Sequence, residues 1–374
     1  MRIAVVTIMF GSPWGGSEEL WAAMSREAVR QGHEVRAWCY RWDMIPDQIK
    51  ALSDQGVKIS RRSLKSLPRW VLKHAIIADP LQSVFSWKPD IVLISQGSSF
   101  GTTRKDVACF TERLMRSEVP YVVVNQCEDT APPPTDKVER IRAFFQRARQ
   151  VLFVAEGNRH TTELRLAGSL DNARIIRNPT TVAPPSPLPW PSADTVKFAC
   201  VARLALGHKG QDLLLRCMAN PEWKSREWHL TFFGAGPDEA YLRSLADYLG
   251  LPMRVTFAGH QPDVLKIWAE HHMLVLPSRM EGTPLVLVEA MLCGRPCVAT
   301  NVGGNAEWIS DGHNGFLAEA PSENCIRAAL NQAWDRRLDW KAMGAEAQMH
   351  AQRLYDPNPG ATLLNILVCA AGGR

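Results

Sequence analysis

The chain has 374 residues, of which 46% are hydrophobic and 22% charged, and a formal net charge of +5. That length points to two domains rather than one core, and the composition is that of a globular protein. No apolar run is long enough to cross a bilayer, and neither zinc-finger spacing nor a basic run interleaved with aromatics suggests a nucleic-acid module. Nine cysteines are scattered without C-x2-C spacing, which reads as reduced thiols in a cytoplasmic protein.

The opening MRIAVVTIMF reads directly as a strand and lacks the basic region and cleavage site of a signal peptide. A Gly/Pro loop, Gly11 to Gly16, follows it, then a helical pattern from Ser17 to Gln31 that stops at Gly32. His33 to Trp38 is the second strand. Asp90 to Ser95, Tyr121 to Val124 and Val151 to Val154 are further short apolar runs bounded by loops. Continuous apolar runs separated by helices indicate a parallel sheet covered on both faces. The segment 61–87 is basic and amphipathic, which suits either a peripheral membrane contact or helices covering the sheet; Pro68 and Pro80 break it. Residues 1–190 carry a net +7 and residues 191–374 a net −2. A basic first half would attract an anionic acceptor or membrane surface, and surface drift accounts for it equally well.

Residues 182–193, VAPPSPLPWPSA, carry five prolines and no basic residue, and read as a linker. The strand pattern then restarts at Lys197 to Ala202, at Glu227 to Phe233 and at Arg254 to Gly259. The expected organisation is a first Rossmann-like α/β domain over 1–181, the linker, a second over 194–352, and a terminal helical segment over 353–374. In open α/β sheets, ligands bind at the carboxyl ends of the strands.

The most informative stretch is Pro277 to Gly315. An apolar strand, Met273 to Leu276, leads through Gly282-Thr283-Pro284 into an apolar helix, with Glu281 before the turn and Glu289 inside the helix, and Cys293 to Thr300 reads as the strand that follows. Free backbone N–H groups at such a turn suit a phosphate or sugar oxygen. A carboxylate amid Val286, Leu287, Val288 and Ala290 needs a partner, and ribose hydroxyls would serve. Upstream, Arg203 and Lys209 lie just past the first strand of the second half, and Lys209-Gly210 precedes an apolar helix; two cations there suit a diphosphate. No D-x-D triplet or cluster of ligands at metal spacing occurs, and His271-His272 read as packing residues.

The pairing of Arg203 and Lys209-Gly210 with Glu281-x7-Glu289 resembles the signature of family 4 retaining glycosyltransferases. The resemblance implies a GT-B fold, with two Rossmann-like domains facing an interdomain cleft, the first taking the acceptor and the second the nucleotide sugar, and a terminal helix crossing back onto the first domain. It implies that Arg203 and Lys209 hold the donor diphosphate, that Glu281 faces the donor sugar, and that Glu289 binds the ribose. Gly282, Thr283, Pro284 and Leu285 then line the donor site beside the Gly234-Ala235-Gly236-Pro237 turn. His260 falls on the loop that meets the base, and Gly15-Gly16 matches the loop that faces the diphosphate and acceptor. Many relatives carry a His in the loop after Tyr121 to Val124; here that segment reads Asn125-Gln126-Cys127-Glu128, so Gln126 or Glu128 substitutes, and Glu128 reads either as a base for the acceptor hydroxyl or as a solvated loop acid.

The expected activity is metal-independent transfer of a hexose-type sugar from a UDP- or GDP-sugar to a hydroxyl of a polysaccharide, a lipid-linked sugar or a small molecule. No cofactor beyond the nucleotide sugar co-substrate is implied. The alternatives are a non-catalytic subunit that binds sugar nucleotides, and an epimerase or phosphorylase on the same fold.

Overall fold

The computed structural model describes residues 1–9, 11–62, 81–128, 131–180, 182, 188–192 and 195–372. The chain divides into two compact units, Met1–Pro179 with Asp356–Arg374, and Thr180–Tyr355. Each is built on one parallel sheet.

The first sheet contains β1 (Arg2–Thr7), β2 (Glu34–Tyr40), β3 (Lys58–Arg62), β4 (Ile91–Ser98), β5 (Tyr121–Cys127), β6 (Gln150–Phe153) and β7 (Ala173–Ile175). Their order is β3-β2-β1-β4-β5-β6-β7, all parallel. Alternate residues of the central strands feed two separate cores: Ile3, Val5, Leu93 and Val122 point to one face, Ala4, Val6, Val92 and Val123 to the other. Burial on both faces explains why these strands read as unbroken apolar runs. The Gly16–Arg30 helix and the chain's last helix, Pro359–Gly372, share the first of those cores through Leu20, Met24, Leu363, Leu364 and Leu367. Gly360 makes that contact close, since a Cβ there would lie 2.7 Å from the Ala23 carbonyl carbon.

The second sheet contains β8 (Val196–Val201), β9 (Trp228–Phe233), β10 (Val255–Gly259), β11 (Met273–Leu276), β12 (Cys297–Thr300) and β13 (Gly315–Ala318), in the order β10-β9-β8-β11-β12-β13 and again all parallel. The strand order reverses between β8 and β11, which places the switch point of this sheet between the loops that follow those two strands.

One reading from the sequence needs correction. Gln96 to Ser98 and Asn125 to Cys127, read as part of the loops bounding two apolar runs, continue β4 and β5. One cross-strand bond ties their side chains together: Gln96 donates to Asn125 Oδ1, and it donates to the Ser99 carbonyl as well. Of the proline-rich segment 182–193, residues 183–187 and 193 lie outside the described residues. The described ones pack on the second unit. Val182 is buried in its core, and Arg295 donates to the carbonyls of Leu188 and Pro189. Most of the basic segment 61–87, residues 63–80, also lies outside the described residues. Among the described residues, no helix is long and apolar enough to cross a membrane.

The close approach at Gly360 generates a test. Gly360→Leu should destabilise the first unit by about 1–3 kcal/mol through overpacking, whereas Gly372→Ala, with nothing within 4 Å of its Cβ position, should be near neutral. Urea denaturation of the two variants reads the difference.

Candidate functional site

The residues singled out in the second half stand on loops at the carboxyl edge of the second sheet, and those around the switch point do so for a local reason. After β8 the chain runs through Arg203 into a single helical turn, Leu206–Lys209, then Gly210 and the Gln211–Met218 helix. After β11 it runs through Pro277 and Ser278 to Glu281 and the turn Gly282-Thr283-Pro284, then the Leu285–Leu292 helix. Gly210 adopts φ +62°, and a Cβ there would sit 2.1 Å from the Pro277 carbonyl oxygen, so only glycine lets these loops touch. Backbone bonds join them: Arg279 N–H donates to the His208 carbonyl at 2.8 Å.

This contact brings Lys209 to Glu281. Lys209 Nζ lies 2.7 Å from Glu281 Oε1, across 72 residues of sequence. Ser278 Oγ donates to the same carboxylate oxygen at 2.7 Å, and Thr300 Oγ1 donates to the Ser278 carbonyl at 2.6 Å. Glu281 is 5% exposed, so its carboxylate is a desolvated acceptor whose partners include a cation and a hydroxyl. Arg203, on the same loop as Lys209, is exposed.

The neighbouring loops close around this pair. Gly234 and Gly236, after β9, bring backbone against Ala202 and Leu204; Leu204 N–H donates to the Ala235 carbonyl at 3.1 Å. Asp238 accepts from Leu206 N–H at 2.7 Å, which fixes the start of the turn carrying Lys209. Gly303, after β12, has φ +57° and lies against the Glu281 and Gly282 carbonyls, with Gly304 N–H donating to Gly282 at 2.7 Å. Gly282, Thr283 and Pro284 are buried, and Leu285 is half-buried. Glu289 is 5% exposed within its helix. His260 follows β10 and is exposed.

Sequence reasoning missed the strut behind the pair. Arg279 donates to both carboxylate oxygens of Asp212, at 2.7 and 3.0 Å, and to the Leu206 carbonyl at 2.7 Å. Asp212 also pairs with Arg216 at 3.0 Å. Burial pulls the Asp212 carboxyl up, but the hydrogen bonds and charge of Arg279, with the charge of Arg216, outweigh it and hold Asp212 below the usual carboxylate range. Nothing local in the sequence announces a pair 67 residues apart.

In the first unit, Gly15 precedes the Gly16–Arg30 helix in extended conformation, and nothing lies closer than 3.9 Å to its Cβ position. Packing therefore does not demand a glycine at 15. Gln126 is 6% exposed; its Oε1 accepts from Asn178 Nδ2 at 2.9 Å, while its buried Nε2 and the buried Asn178 Oδ1 have no hydrogen-bond partner among the described residues. Glu128 follows β5 and is half-buried. His271 and His272 are packing residues: His271 bonds the Ile267 carbonyl and Thr231, and His272 accepts from Lys197 N–H, its pKa pushed down to about 4 by burial and by Arg295. Among the described residues, no group of three His, Cys, Asp or Glu side chains is placed to hold a metal ion.

Known proteins share this architecture. The structure of Anabaena HepE in complex with UDP superposes with a TM-score of 0.74 at 18% identity, covering 98% of this chain and 100% of that one. The fold is GT-B. Residues 195–336, which include Arg203, Lys209, Glu281 and Glu289, match the family described as glycosyl transferases group 1. An uncharacterised glycosyltransferase of Haemophilus influenzae is 34% identical over 154 residues, 40% of this chain and 42% of that protein. The N-acetyl-alpha-D-glucosaminyl L-malate synthase of Bacillus anthracis is 40% identical over 90 residues, 24% of each chain. The matched stretch thus spans less than half the length of either relative.

The strut can be measured. In a double-mutant cycle of Asp212→Ala and Arg279→Ala, followed by urea denaturation, the two changes should couple by about 1 kcal/mol. Strict additivity would mean that the backbone bonds alone hold the two loops together.

Proposed function

We propose that the protein is a retaining glycosyltransferase of the family 4 type, moving a hexose-type sugar from a UDP- or GDP-sugar to a hydroxyl of a glycan, a lipid-linked sugar or a small molecule. The observation that carries this reading is the 2.7 Å contact of Lys209 with Glu281 across the switch point of the second sheet. The match to group 1 glycosyl transferases over both loops supports it, as does the shared fold of a protein whose structure holds UDP. We assign donor binding to the second unit and the acceptor to the first.

In the reaction, the bond between C1 of the sugar and the diphosphate oxygen breaks as the acceptor hydroxyl oxygen bonds to C1 on the same face. The hydroxyl proton passes to the departing phosphate oxygen. Charge grows on the diphosphate, and Arg203 and Lys209 neutralise it without a metal ion. Glu281, fixed by Lys209 and Ser278, faces the sugar ring. Glu289 accepts from the ribose hydroxyls. Gly234, Gly236, Gly282, Thr283, Pro284 and Leu285 shape the donor pocket, and His260 borders the base. The open space at Gly15, with Gly16 beside it, leaves room for an anion to approach the backbone. The unpartnered Gln126 Nε2 orients the donor sugar in place of a histidine, and Glu128 receives the acceptor hydroxyl.

Arg203→Ala and Lys209→Ala should each lower kcat by about 10²-fold or more, with circular dichroism unchanged and activity insensitive to EDTA. Full activity of both variants would remove the diphosphate role, and loss in EDTA restored by Mg²⁺ would overturn the metal-free mechanism. Donor binding without turnover on any acceptor would favour a non-catalytic subunit.

The two glutamates should differ. Ribose contacts are the same in ground and transition states, so Glu289→Ala should raise the donor KM. Glu281→Ala should mainly reduce kcat, by about 10²-fold. Steady-state kinetics at varied donor, with calorimetric donor binding, separates the two; the reverse pattern would exchange the roles.

A further inference from the structure

A second recess belongs wholly to the first unit. It opens at the carboxyl ends of β1 and β2, with Glu18 and Trp21 among its lining residues, aromatic walls from Trp14, Tyr40 and Trp42, and Met44 at its edge. Glu18 and Trp21 are three residues apart on one helix and so share a face. Glu18 is 5% exposed and accepts from Thr7 Oγ1 at 3.1 Å and from Ser17 Oγ at 2.6 Å. Arg61 also lines the recess, and buried Arg62 donates to the Thr7 carbonyl at 3.1 Å; burial nonetheless pushes the Glu18 pKa up to about 7. Trp21 is 1% exposed, and its buried Nε1 has no hydrogen-bond partner among the described residues.

The chemistry of these two groups selects a ligand. An unmade hydrogen bond from a buried N–H is costly, as is a buried carboxylate with incomplete partners. A carboxylate ligand offers acceptors alone, so it gives Glu18 no donor. An ammonium would pair with Glu18 but carries no acceptor for the indole N–H. A hydroxyl does both, accepting from the indole and donating to the carboxylate. The recess is narrow, with room for one hydroxyl-sized group rather than a whole ring. The body of the ligand must therefore rest higher, against the tryptophans. Trp14 is held there by its Nε1 bond to Glu19 at 2.6 Å and by edge contact with Trp21 at 5.7 Å. Met44 stands 81% exposed beside Trp42. Aromatic faces beside an apolar rim suit the C–H face of a ring.

We propose that this recess seats a neutral, hydroxyl-bearing ring, a sugar or cyclitol residue, with one hydroxyl directed at Glu18 and Trp21 and the ring face against Trp14 and Trp42. That this ring is the acceptor rests on the glycosyltransferase reading; that the recess binds such a ring does not. The test is saturation-transfer NMR on the whole chain without any nucleotide sugar. The probes are methyl glucoside, methyl galactoside and myo-inositol, with malate and glucose 6-phosphate as anionic comparators. At least one neutral ring should receive saturation. Trp42→Ala, which alters the half-buried wall rather than the core, should weaken its binding by about fivefold or more. Glu18→Gln should weaken it as well, with the fold checked by circular dichroism. Failure of every neutral ring, equal binding of the anions, or binding indifferent to Trp42→Ala would overturn the proposal. If a neutral ring binds here while no donor sugar is ever transferred, the recess stands and the glycosyltransferase reading falls.

Discussion

At the carboxyl edge of the second sheet, backbone rests on backbone. The carbonyls of Pro277, Ala202, Leu204 and Glu281 fill the spaces that side chains would need at Gly210, Gly234, Gly236 and Gly303. Loops from β8, β9, β11 and β12 can nest only because those side chains are absent, and nesting turns separate strand–helix connections into one surface. Lys209 and Glu281 meet on that surface, and the Asp212–Arg279 strut braces it from behind. A buried carboxylate with one cation and one hydroxyl is costly to assemble from mobile parts. Here the glycines and the strut fix its geometry beforehand, the arrangement electrostatic catalysis requires.

The two units handle polarity at their strand ends differently. The first sheet ends in amides, with Gln96 bonded to Asn125 and Gln126 to Asn178. Neutral amides can be buried without an ionic desolvation cost, and they leave single donors and acceptors over. The second sheet ends in charges, paired and braced. Under the proposed function this division follows the ligands: hydroxyls are read by amides, and a diphosphate is met by cations.

Much of the sheet architecture was legible because strands buried on both faces leave unbroken apolar runs. Met273 to Leu276 forms β11 with the bounds its sequence suggested. The strands missing from that reading are β3, β7 and β13. They lie at sheet edges, and Lys58–Arg62 and Ala173–Ile175 are too polar or too short to carry a pattern. The ends of β4 and β5 were mistaken for loops because their amides look like turn residues until their cross-strand partners are known. Within the site, residues beside glycine turns could be named from local pattern. Asp212, Arg279 and Asn178 act through partners distant in sequence, and no window along the chain contains both members of such a pair.

The first unit is discontinuous: its core takes Leu363, Leu364 and Leu367 from a helix that follows the whole of the second unit. On a ribosome, the second unit can therefore complete its core while the first still lacks one wall. Until the Pro359–Gly372 helix is made, Leu20 and Met24 meet the sheet but lack the apolar side chains of Leu363, Leu364 and Leu367. A change within Pro359–Gly372 would therefore act on a core built from strands that begin at Arg2, across the whole of the intervening unit.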